Sequence, residues 1–344
     1  MKVLVTGTEG YLGSLLAPML MHKGHEVTAV DSGFYRAGWL YHGTDRTPRT
    51  LVKDIRHIEP ADLQGMDAVV HMAEISNDPA GALNPQITYD INHKGSVRLA
   101  TLAREAGVRR FVYMSSCSVY GVATGSDVTE SSPVNPQTPY AECKTLVERD
   151  VKPMACDGFS PTFLRNATAF GASPRMRFDI VLNNLAGLAW TTREIRMTSD
   201  GTPWRPLVHA LDIAKAICCV LEAPIDRVHN EVYNVGDTRQ NYTVRQIAEI
   251  VAEEFPGCRL TFGTAGSDNR SYRVDFTKIN TKLPGFACDW DARKGARQLA
   301  ELFRRIDMTA DTFNFRAFTR LEMLKYLLKT DQIDSSFFWK GSLR

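Results

Sequence analysis

The sequence has no feature of a disulfide-stabilised, metal-binding or membrane-spanning protein. Its seven cysteines are odd in number and none stands in a CxxC pair, which argues against a disulfide framework and against a zinc site. No stretch approaches the about 20 consecutive apolar residues that a membrane span needs. The apolar run after Met1 is interrupted at Thr6 and Gly7, too early for a signal sequence. We therefore expect a soluble, cytoplasmic protein without a metal ion.

An excess of charge of one sign is also missing. The chain has 41 basic and 39 acidic residues, which are interspersed and give a formal net charge of +2. No basic stripe is available to neutralise a nucleic-acid backbone, so neither nucleic acid nor a membrane is expected as a partner. With 344 residues, of which 44% are hydrophobic, the chain can form one large domain and a smaller appendage.

Short apolar runs of strand length alternate with stretches that carry apolar residues at helical spacing. The strand-like runs are Lys2–Thr6, Glu26–Val30, Thr50–Lys53, Ala68–Met72, Arg110–Ser115 and Pro161–Arg165. The helix-like stretches are Tyr11–His22, Gln86–Ala106 and Pro139–Cys156. This alternation predicts βαβ units, and therefore an α/β fold with a doubly wound parallel sheet.

The regular alternation ends after Arg165. We predict helices over 179–190, 211–222 and 243–255 and a further strand over 231–235. The sheet domain is assigned to residues 1–170 and 206–256, and a smaller C-terminal α+β substrate-binding lobe to residues 171–205 and 257–344. The aromatic residues Phe337, Phe338 and Trp339 near the C-terminus are expected to pack on their own domain rather than to anchor a partner or a membrane.

A glycine-rich turn follows the first predicted strand and opens an amphipathic helix. It reads Gly7-Thr8-Glu9-Gly10-Tyr11-Leu12-Gly13. In such a turn the first glycine makes the tight bend, the second lets the backbone approach a pyrophosphate, and the third allows close helix packing. The GxxGxxG spacing differs from the GxGxxG of ordinary Rossmann proteins, but its position directly after the first strand predicts a Rossmann-type dinucleotide site.

Two acidic residues complete the predicted adenosine site. Asp31 ends the second strand, 18 residues after Gly13, where a carboxylate can bind the ribose hydroxyls and repel a 2′-phosphate. This favours NAD over NADP, although Arg36 nearby keeps NADP as the alternative. Asp54 and Ile55 follow the third strand and are expected to bind and cover the adenine.

Together these residues resemble the extended short-chain dehydrogenase/reductases, within them the nucleotide-sugar epimerase and dehydratase group, which includes enzymes of the UDP-glucose 4-epimerase type. The resemblance covers most of the chain. It rests on the glycine turn, Asp54-Ile55, His71-Met72-Ala73, Asn92, Ser115-Ser116-Cys117-Ser118-Val119-Tyr120-Gly121, Pro139-Tyr140-Ala141-Glu142-Cys143-Lys144 and Arg205-Pro206-Leu207-Val208-His209. It implies that Met72, Ala73, Asn92 and Ser115 contribute to the NAD site, beside Tyr140 and Lys144.

The pair Tyr140 and Lys144 has i, i+4 spacing, so both side chains lie on one face of a helix. A phenol with its ordinary pKa near about 10 is a poor base at neutral pH, but a neighbouring ammonium favours the phenolate. The resemblance then implies that Tyr140 exchanges a proton with a sugar hydroxyl, that Lys144 holds the nicotinamide ribose, and that Ser116 hydrogen-bonds the reacting oxygen.

The type of reaction depends on the two residues after Ser116. Sugar-nucleotide 4,6-dehydratases of this group have Asp and Glu there, whereas this chain has Cys117 and Ser118, which disfavours dehydration. Cys117 is interpreted as a buried small residue, with a thiol acid in the sugar pocket as the alternative. What remains is a nucleotide-sugar epimerase, with a ketoreductase or oxidase of the same family as the alternative. A non-catalytic dinucleotide-binding protein is disfavoured because Tyr140 and Lys144 are both present.

The resemblance also indicates where a nucleotide sugar would bind. Asn184 matches the residue that contacts the diphosphate or base, and Arg205 and Arg270 lie where the group places arginines on the diphosphate, with Arg273 as a competitor of Arg270. The segment Ser76-Asn77-Asp78 follows the fourth strand and is expected to line the sugar pocket, with Ser116 and Cys117. His209 is interpreted as a packing residue. A homodimer through the Tyr140 helix and the helix before it is expected.

Overall fold

The computed structural model describes residues 1–43, 47–123, 127–264 and 270–341. The strands are β1 (Lys2–Thr6), β2 (Glu26–Asp31), β3 (Thr50–Val52), β4 (Ala68–His71), β5 (Arg110–Ser116), β6 (Ser160–Asn166), β7 (Thr168–Phe170), β8 (Glu194–Arg196), β9 (Trp204–His209), β10 (Glu231–Val235), β11 (Asn241–Thr243) and β12 (Arg259–Thr261). The helices are α1 (Gly13–His22), α2 (Pro60–Leu63), α3 (Asp78–Leu83), α4 (Pro85–Thr88), α5 (Ser96–Glu105), α6 (Pro139–Val151), α7 (Val181–Thr192), α8 (Ala210–Glu222), α9 (Val244–Glu254), α10 (Thr277–Lys282), α11 (Ala292–Arg305), α12 (Ala310–Phe313) and α13 (Arg320–Lys329).

Seven strands form one parallel sheet in the order β10-β6-β5-β4-β1-β2-β3. The chain winds outward from β1 in both directions, which confirms the predicted doubly wound α/β fold. The direction of winding changes between β1 and β4, and ligands of such sheets bind at the carboxyl ends of the strands at this point. The strands are continuous apolar runs because helices cover both faces, and Val3, Leu4 and Val5 are completely buried.

A second core belongs to a smaller unit built on the three-stranded sheet β11-β9-β7 and the pair β12-β8. Helices α7, α9 and α11 pack together around Leu185, Val251 and Phe303. This packing departs from the boundaries expected from the sequence, because α9 lies with the lobe although residues 206–256 were assigned to the sheet domain. Conversely, α10 packs with β10 of the large sheet.

The C-terminal segment also leaves the lobe and returns to the sheet domain. Helix α13 packs on α3, and Phe337 is buried in a cluster with Phe34 and Ile55. The Trp339 indole donates a hydrogen bond of 2.7 Å to the Ser32 carbonyl. The C-terminal aromatics therefore pack within this chain, but on the sheet domain rather than on the lobe to which residues 257–344 were assigned. Among the described residues, no helix has the length and apolar character that crossing a membrane requires.

Candidate active site

The glycine turn occupies the carboxyl end of β1, at the point where the sheet changes direction. Gly7 has φ +81°, a left-handed conformation that favours glycine. A Cβ on Gly13 would lie 2.1 Å from the Gly7 carbonyl oxygen, so no side chain fits where α1 begins. The Gly10 N–H donates to the same carbonyl at 3.1 Å. The turn is therefore closed by backbone contacts alone, and its inner surface stays accessible to a ligand.

Asp31 at the end of β2 faces this turn. One carboxylate oxygen accepts the Glu9 N–H at 2.9 Å and the other accepts the Gly33 N–H at 2.7 Å. Burial raises the pKa of Asp31, and the two backbone donors oppose that effect. A carboxylate has about four acceptor positions, so two remain for the ribose hydroxyls of a dinucleotide. Arg36, the residue that kept NADP as an alternative, lies 4.0 Å from the Glu9 carboxylate.

Asp54, the other acidic residue predicted to contact the adenosine, also has a structural role. The Asp54 carboxylate accepts the Arg56 backbone N–H at 2.8 Å and also bonds the Arg56 guanidinium at 2.9 and 2.8 Å. It thereby caps the short helical turn Ile55–His57. Ile55 is almost fully buried, and both residues reach the wall of the cavity.

A cavity of about 650 Å³ extends from the glycine turn to the lobe. Most of the predicted site residues line it, namely Gly7, Gly10, Tyr11, Leu12, Gly13, Asp31, Asp54, Ile55, Met72, Ala73, Ser76, Ser115, Ser116, Tyr140, Lys144, Arg205 and Arg270. We call the part lined by the glycine turn, Asp31 and Ile55 the cofactor half, and the part lined by Ser76, Asp78, Arg177, Arg205 and Arg270 the sugar half.

Two predicted site residues, Asn92 and Asn184, are not among the residues that line the cavity. The Asn92 side chain is completely buried and bonds both backbone groups of Ile75, at 2.8 and 2.9 Å. It fixes the loop after β4 rather than facing a ligand. The Asn184 amide donates to the Phe178 carbonyl at 2.9 Å, so it holds the loop before α7. Both corrections have one cause: the amides serve the backbone of loops that lack a ladder partner.

Cys117 also lies outside the cavity wall, which corrects its place in the substrate set. It is 1% exposed, and its thiol donates to the Arg165 carbonyl at 3.2 Å. Burial raises the pKa of the Cys117 thiol well above its ordinary range. Because the thiol is directed to the Arg165 carbonyl and Cys117 does not line the cavity, it is not placed to reach a sugar. The packing interpretation fits this environment, and the thiol-acid alternative does not.

The predicted catalytic residues Ser116, Tyr140 and Lys144 line the same cavity as the residues of both halves. Thr138 caps α6 through a hydrogen bond to the Ala141 N–H, and Tyr140 and Lys144 follow on the first turns of that helix. Ser116 ends β5, where its hydroxyl accepts the Ser118 N–H at 3.1 Å and keeps its own hydrogen for a ligand oxygen. Burial raises the pKa of Tyr140, and the Lys144 ammonium opposes this shift. The arrangement can bind a hydroxyl and move its proton.

The sugar half carries charged side chains that are paired with each other. Arg270 forms an ion pair with Asp78, and the Arg177 guanidinium donates to Asp179 at 2.8 Å and to the Ser76 carbonyl at 3.4 Å. The Arg205 guanidinium donates to the carbonyls of Trp204 and Arg270. Arg273, the alternative to Arg270, pairs instead with Asp127 at 3.0 Å.

The charged residues Glu74, Arg177, Asp179 and Arg320 also line the cavity, although no site role was predicted for them. Asp78 and Arg177 line the sugar half, and Glu74 lies beside Lys144 at the cavity wall. Glu74 and Asp78 both follow β4 within seven residues of His71. A charged residue directly after His71-Met72-Ala73, at the carboxyl end of a buried strand, was the available signal for Glu74.

Comparison with known proteins identifies the family. Residues 3–236 match the NAD dependent epimerase/dehydratase family, so the chain belongs to it and is an enzyme of the extended short-chain dehydrogenase/reductase type. It is 34% identical over 332 residues to a UDP-glucose 4-epimerase of Mycolicibacterium smegmatis, covering 88% of this chain and 99% of that protein. It is 30% identical over 311 residues to a UDP-glucose 4-epimerase of Lactobacillus helveticus, covering 82% and 91% of the two chains.

Solved structures show the same relationship. MoeE5 in complex with UDP-glucuronic acid and NAD superposes with a TM-score of 0.76 at 27% sequence identity, over 89% of this chain and 99% of that one. The cofactor is NAD, and the structure accommodates it: Gly7, Gly10 and Gly13 line the cavity, and Asp31 presents a carboxylate that suits ribose hydroxyls and repels a 2′-phosphate.

Proposed function

We propose that the protein is a nucleotide-sugar epimerase that oxidises one sugar hydroxyl transiently to a ketone. The proposal is carried by Ser116, Tyr140 and Lys144, which line the same cavity as the residues of the cofactor half and of the sugar half. The activities of the two UDP-glucose 4-epimerases at 30% and 34% identity support it.

In this proposal the side chains of the protein bind the reacting hydroxyl and transfer its proton. The Ser116 hydroxyl donates to the reacting oxygen, and the Tyr140 phenolate oxygen takes the hydroxyl proton and later returns it to the same oxygen. The Lys144 ammonium stabilises the phenolate, because a positive charge lowers the pKa of a neighbouring phenol. Bound NAD supplies the acceptor and donor for the hydride of the same carbon.

Dehydration is disfavoured by the residues after Ser116. Cys117 is directed to the Arg165 carbonyl, and Ser118 carries a hydroxyl rather than a carboxylate. The acidic groups that do reach the cavity wall near Tyr140 are paired with cations, Glu74 with Lys144 and Asp78 with Arg270. No carboxylate therefore follows Ser116 to act as the acid or base of water elimination.

The substrate is proposed to be a nucleoside diphosphate sugar whose diphosphate contacts Arg205 and Arg270. Guanidinium groups bind phosphate oxygens through paired, charge-assisted hydrogen bonds, and both arginines line the sugar half. We also propose a homodimer through α5 and α6, which pack side by side. Sedimentation equilibrium of the purified protein at micromolar concentration tests this, and a monomer there contradicts it.

The reaction is tested by identifying the cofactor released on denaturation and by incubating the native enzyme with a panel of nucleotide sugars while following the absorbance of reduced nicotinamide. Retained NAD, interconversion of two epimers and no net absorbance change are the expected result. Stoichiometric appearance or loss of NADH or NADPH would establish the ketoreductase or oxidase instead.

A further inference from the structure

Glu74 is a buried carboxylate in direct contact with Lys144. It lies in the loop after β4, and its side chain is 2% exposed. One carboxylate oxygen forms an ion pair with the Lys144 ammonium, and the other accepts the Tyr113 hydroxyl at 2.7 Å. The Ser96 hydroxyl lies 3.5 Å from that second oxygen. Buried carboxylates are costly unless they are paired, so this contact is a built feature of the cavity wall.

The Lys144 ammonium is fixed from two neighbouring strands. It contacts Glu74 beyond the end of β4 and donates to the Met114 carbonyl of β5. An ammonium has three N–H donors, so these two contacts leave one hydrogen, and Lys144 lines the cavity beside Tyr140. The nitrogen lies 5.3 Å from the centre of the Tyr140 ring and 4.8 Å from that of Tyr113. A lysine side chain has several rotatable bonds, and Glu74 removes that freedom.

Glu74 also changes the pKa values of Lys144 and Tyr140. Burial alone would lower the pKa of Lys144, but the Glu74 carboxylate raises it above the ordinary value, and Tyr140 adds to that effect. For Tyr140, burial raises the pKa, Lys144 lowers it, and Glu74 raises it again. The titratable groups that face Lys144 from the surrounding elements are Glu74 beyond β4, His71 of β4, Tyr113 of β5, and Tyr140 and Cys143 of α6. His71 is neutral because burial lowers its pKa to about 3.

We propose that Glu74 is a positioning residue of this active site, which holds the Lys144 ammonium in one orientation and keeps it charged beside Tyr140. The proposal rests on the roles assigned to Tyr140 and Lys144 in the proposed function. It extends that function, because it adds to Ser116, Tyr140 and Lys144 a residue from the loop after β4 that acts through Lys144. Without Glu74, a buried lysine at this position would lose its proton more readily.

The test is a titration of Lys144 itself, which needs no sugar substrate. The enzyme is labelled with [¹³C]lysine, the Lys144 ε-carbon resonance is assigned by its loss in Lys144→Arg, and its shift is followed with pH. In the unchanged protein, the resonance is expected to titrate above the ordinary lysine value of 10.5. In Glu74→Gln, the midpoint is expected to fall by at least about one pH unit, which is a tenfold loss of proton affinity.

Two further variants distinguish positioning from general stabilisation. Glu148→Gln removes a buried carboxylate one turn further along α6, where it pairs with Arg165 at 2.6 Å. It is expected to lower stability comparably while leaving the Lys144 midpoint unchanged. Glu74→Asp keeps the charge and is expected to restore most of the midpoint. The dissociation constant for NAD, measured by calorimetry, is expected to rise at least about tenfold in Glu74→Gln above its new midpoint, because a neutral amine holds a ribose hydroxyl less well.

An equal Lys144 midpoint in the unchanged protein and in Glu74→Gln would overturn the proposal, as would an equal fall in Glu148→Gln. If Glu74→Gln does not fold, a Lys144 midpoint below 10.5 in the unchanged protein overturns it by itself. The expected titration without any epimerisation of nucleotide sugars would instead leave the proposal standing and refute the proposed function alone.

Discussion

The two halves of the cavity differ in whether backbone groups or side chains form their surface. The cofactor half is shaped by backbone: Gly7 adopts a left-handed conformation, Gly13 has no space for a Cβ, and two peptide N–H groups fix the Asp31 carboxylate. The sugar half is shaped by long charged side chains that are paired with each other, such as Arg270 with Asp78. The cofactor half is preorganised, whereas the side chains of the sugar half have to exchange existing ion pairs for contacts with the ligand.

This difference predicts different responses to substitution. A backbone-built surface depends on residues that are small, so adding one carbon atom disrupts it. A side-chain-built surface depends on which charges are present, so removing one guanidinium changes what it binds. Tyr140 belongs to neither half. Its substitution is expected to change the rate of the chemical step, but not the affinity for NAD or for the nucleotide sugar.

The largest effect is expected for Tyr140→Phe. The phenol is the proposed proton acceptor, and general acid–base groups contribute roughly 10²- to 10⁴-fold to rates. We expect kcat to fall by that factor, with the dissociation constants of NAD and nucleotide sugar each changed less than about threefold. Tyr233→Phe is the control, because that hydroxyl bonds the Arg227 carbonyl away from the cavity. Retention of more than about a tenth of the activity in Tyr140→Phe would remove Tyr140 from the mechanism.

The next largest effect is expected for Gly13→Ala, which tests the cofactor half. The new Cβ would meet the Gly7 carbonyl at 2.1 Å and the Thr8 Cα at 2.5 Å, so the turn must open. Overpacking of this kind costs about 1–3 kcal/mol, and we expect the NAD dissociation constant to rise at least about tenfold. Gly158→Ala is the control, because nothing lies within 4 Å of its Cβ position. Unchanged NAD binding in Gly13→Ala would show that the turn does not hold the cofactor.

The same contrast explains how much of the site was predictable. Gly7, Gly13, Asp31 and Tyr140 could be predicted because each depends on its neighbours in the sequence: a turn between strand and helix, the end of a strand, or one helical turn. The direction of a side chain that leaves an irregular segment depends on the rest of the fold. Cys117 begins a short 3₁₀-helix capped by Ser116, and this turns its thiol toward β6.

The fold shows the same limit. Strands β1 and β10 were predicted at their observed boundaries, because buried parallel strands are continuous apolar runs. The predicted helix over 86–106 is divided into α4, a π-helical segment Tyr89–Gly95 and α5. π-Helical turns occur mostly as single turns inside α-helices, so the apolar pattern of the flanking helices does not reveal them. Asn92 lies in this segment and faces the Ile75 loop rather than the cavity.

A smaller effect is expected for Arg270→Ala, which tests the sugar half. Hydrogen bonds to charged groups contribute about 1.5–3 kcal/mol, so KM for the nucleotide sugar should rise roughly 10- to 100-fold. The uncompensated Asp78 carboxylate would add repulsion of the diphosphate. The dissociation constant of NAD should stay the same. Arg273→Ala removes an arginine that pairs with Asp127 instead, and it should leave KM unchanged. An equal rise of KM in both variants would contradict the role of Arg270.

The last prediction has the smallest expected effect on binding and catalysis, because it concerns stability in acid, and it compares the histidines behind the two regions. His71 supports the loop that lines the cofactor half: its Nδ1 accepts the Thr6 hydroxyl, because that oxygen already accepts the Met72 and Ala73 N–H groups. His209 supports the lobe: its Nδ1 accepts the Leu211 N–H, so its Nε2–H donates to Gln298 at 2.8 Å. Both rings are therefore neutral in the folded protein.

Burial lowers the pKa of His209 to about 4, below its ordinary value of 6.5. Because the folded protein favours the neutral ring, this contribution to stability is complete above pH 6.5 and is lost as the pH falls toward 4. The unfolding free energy should decrease by up to about 1.4 kcal/mol per pH unit in this window for each such histidine. His209→Asn keeps an oxygen that can accept the Leu211 N–H, so it should be less stable at pH 7 but lose less stability between pH 6.5 and 4. Urea unfolding at both pH values measures the difference, and equal losses in the two proteins would show that His209 does not contribute to the acid response.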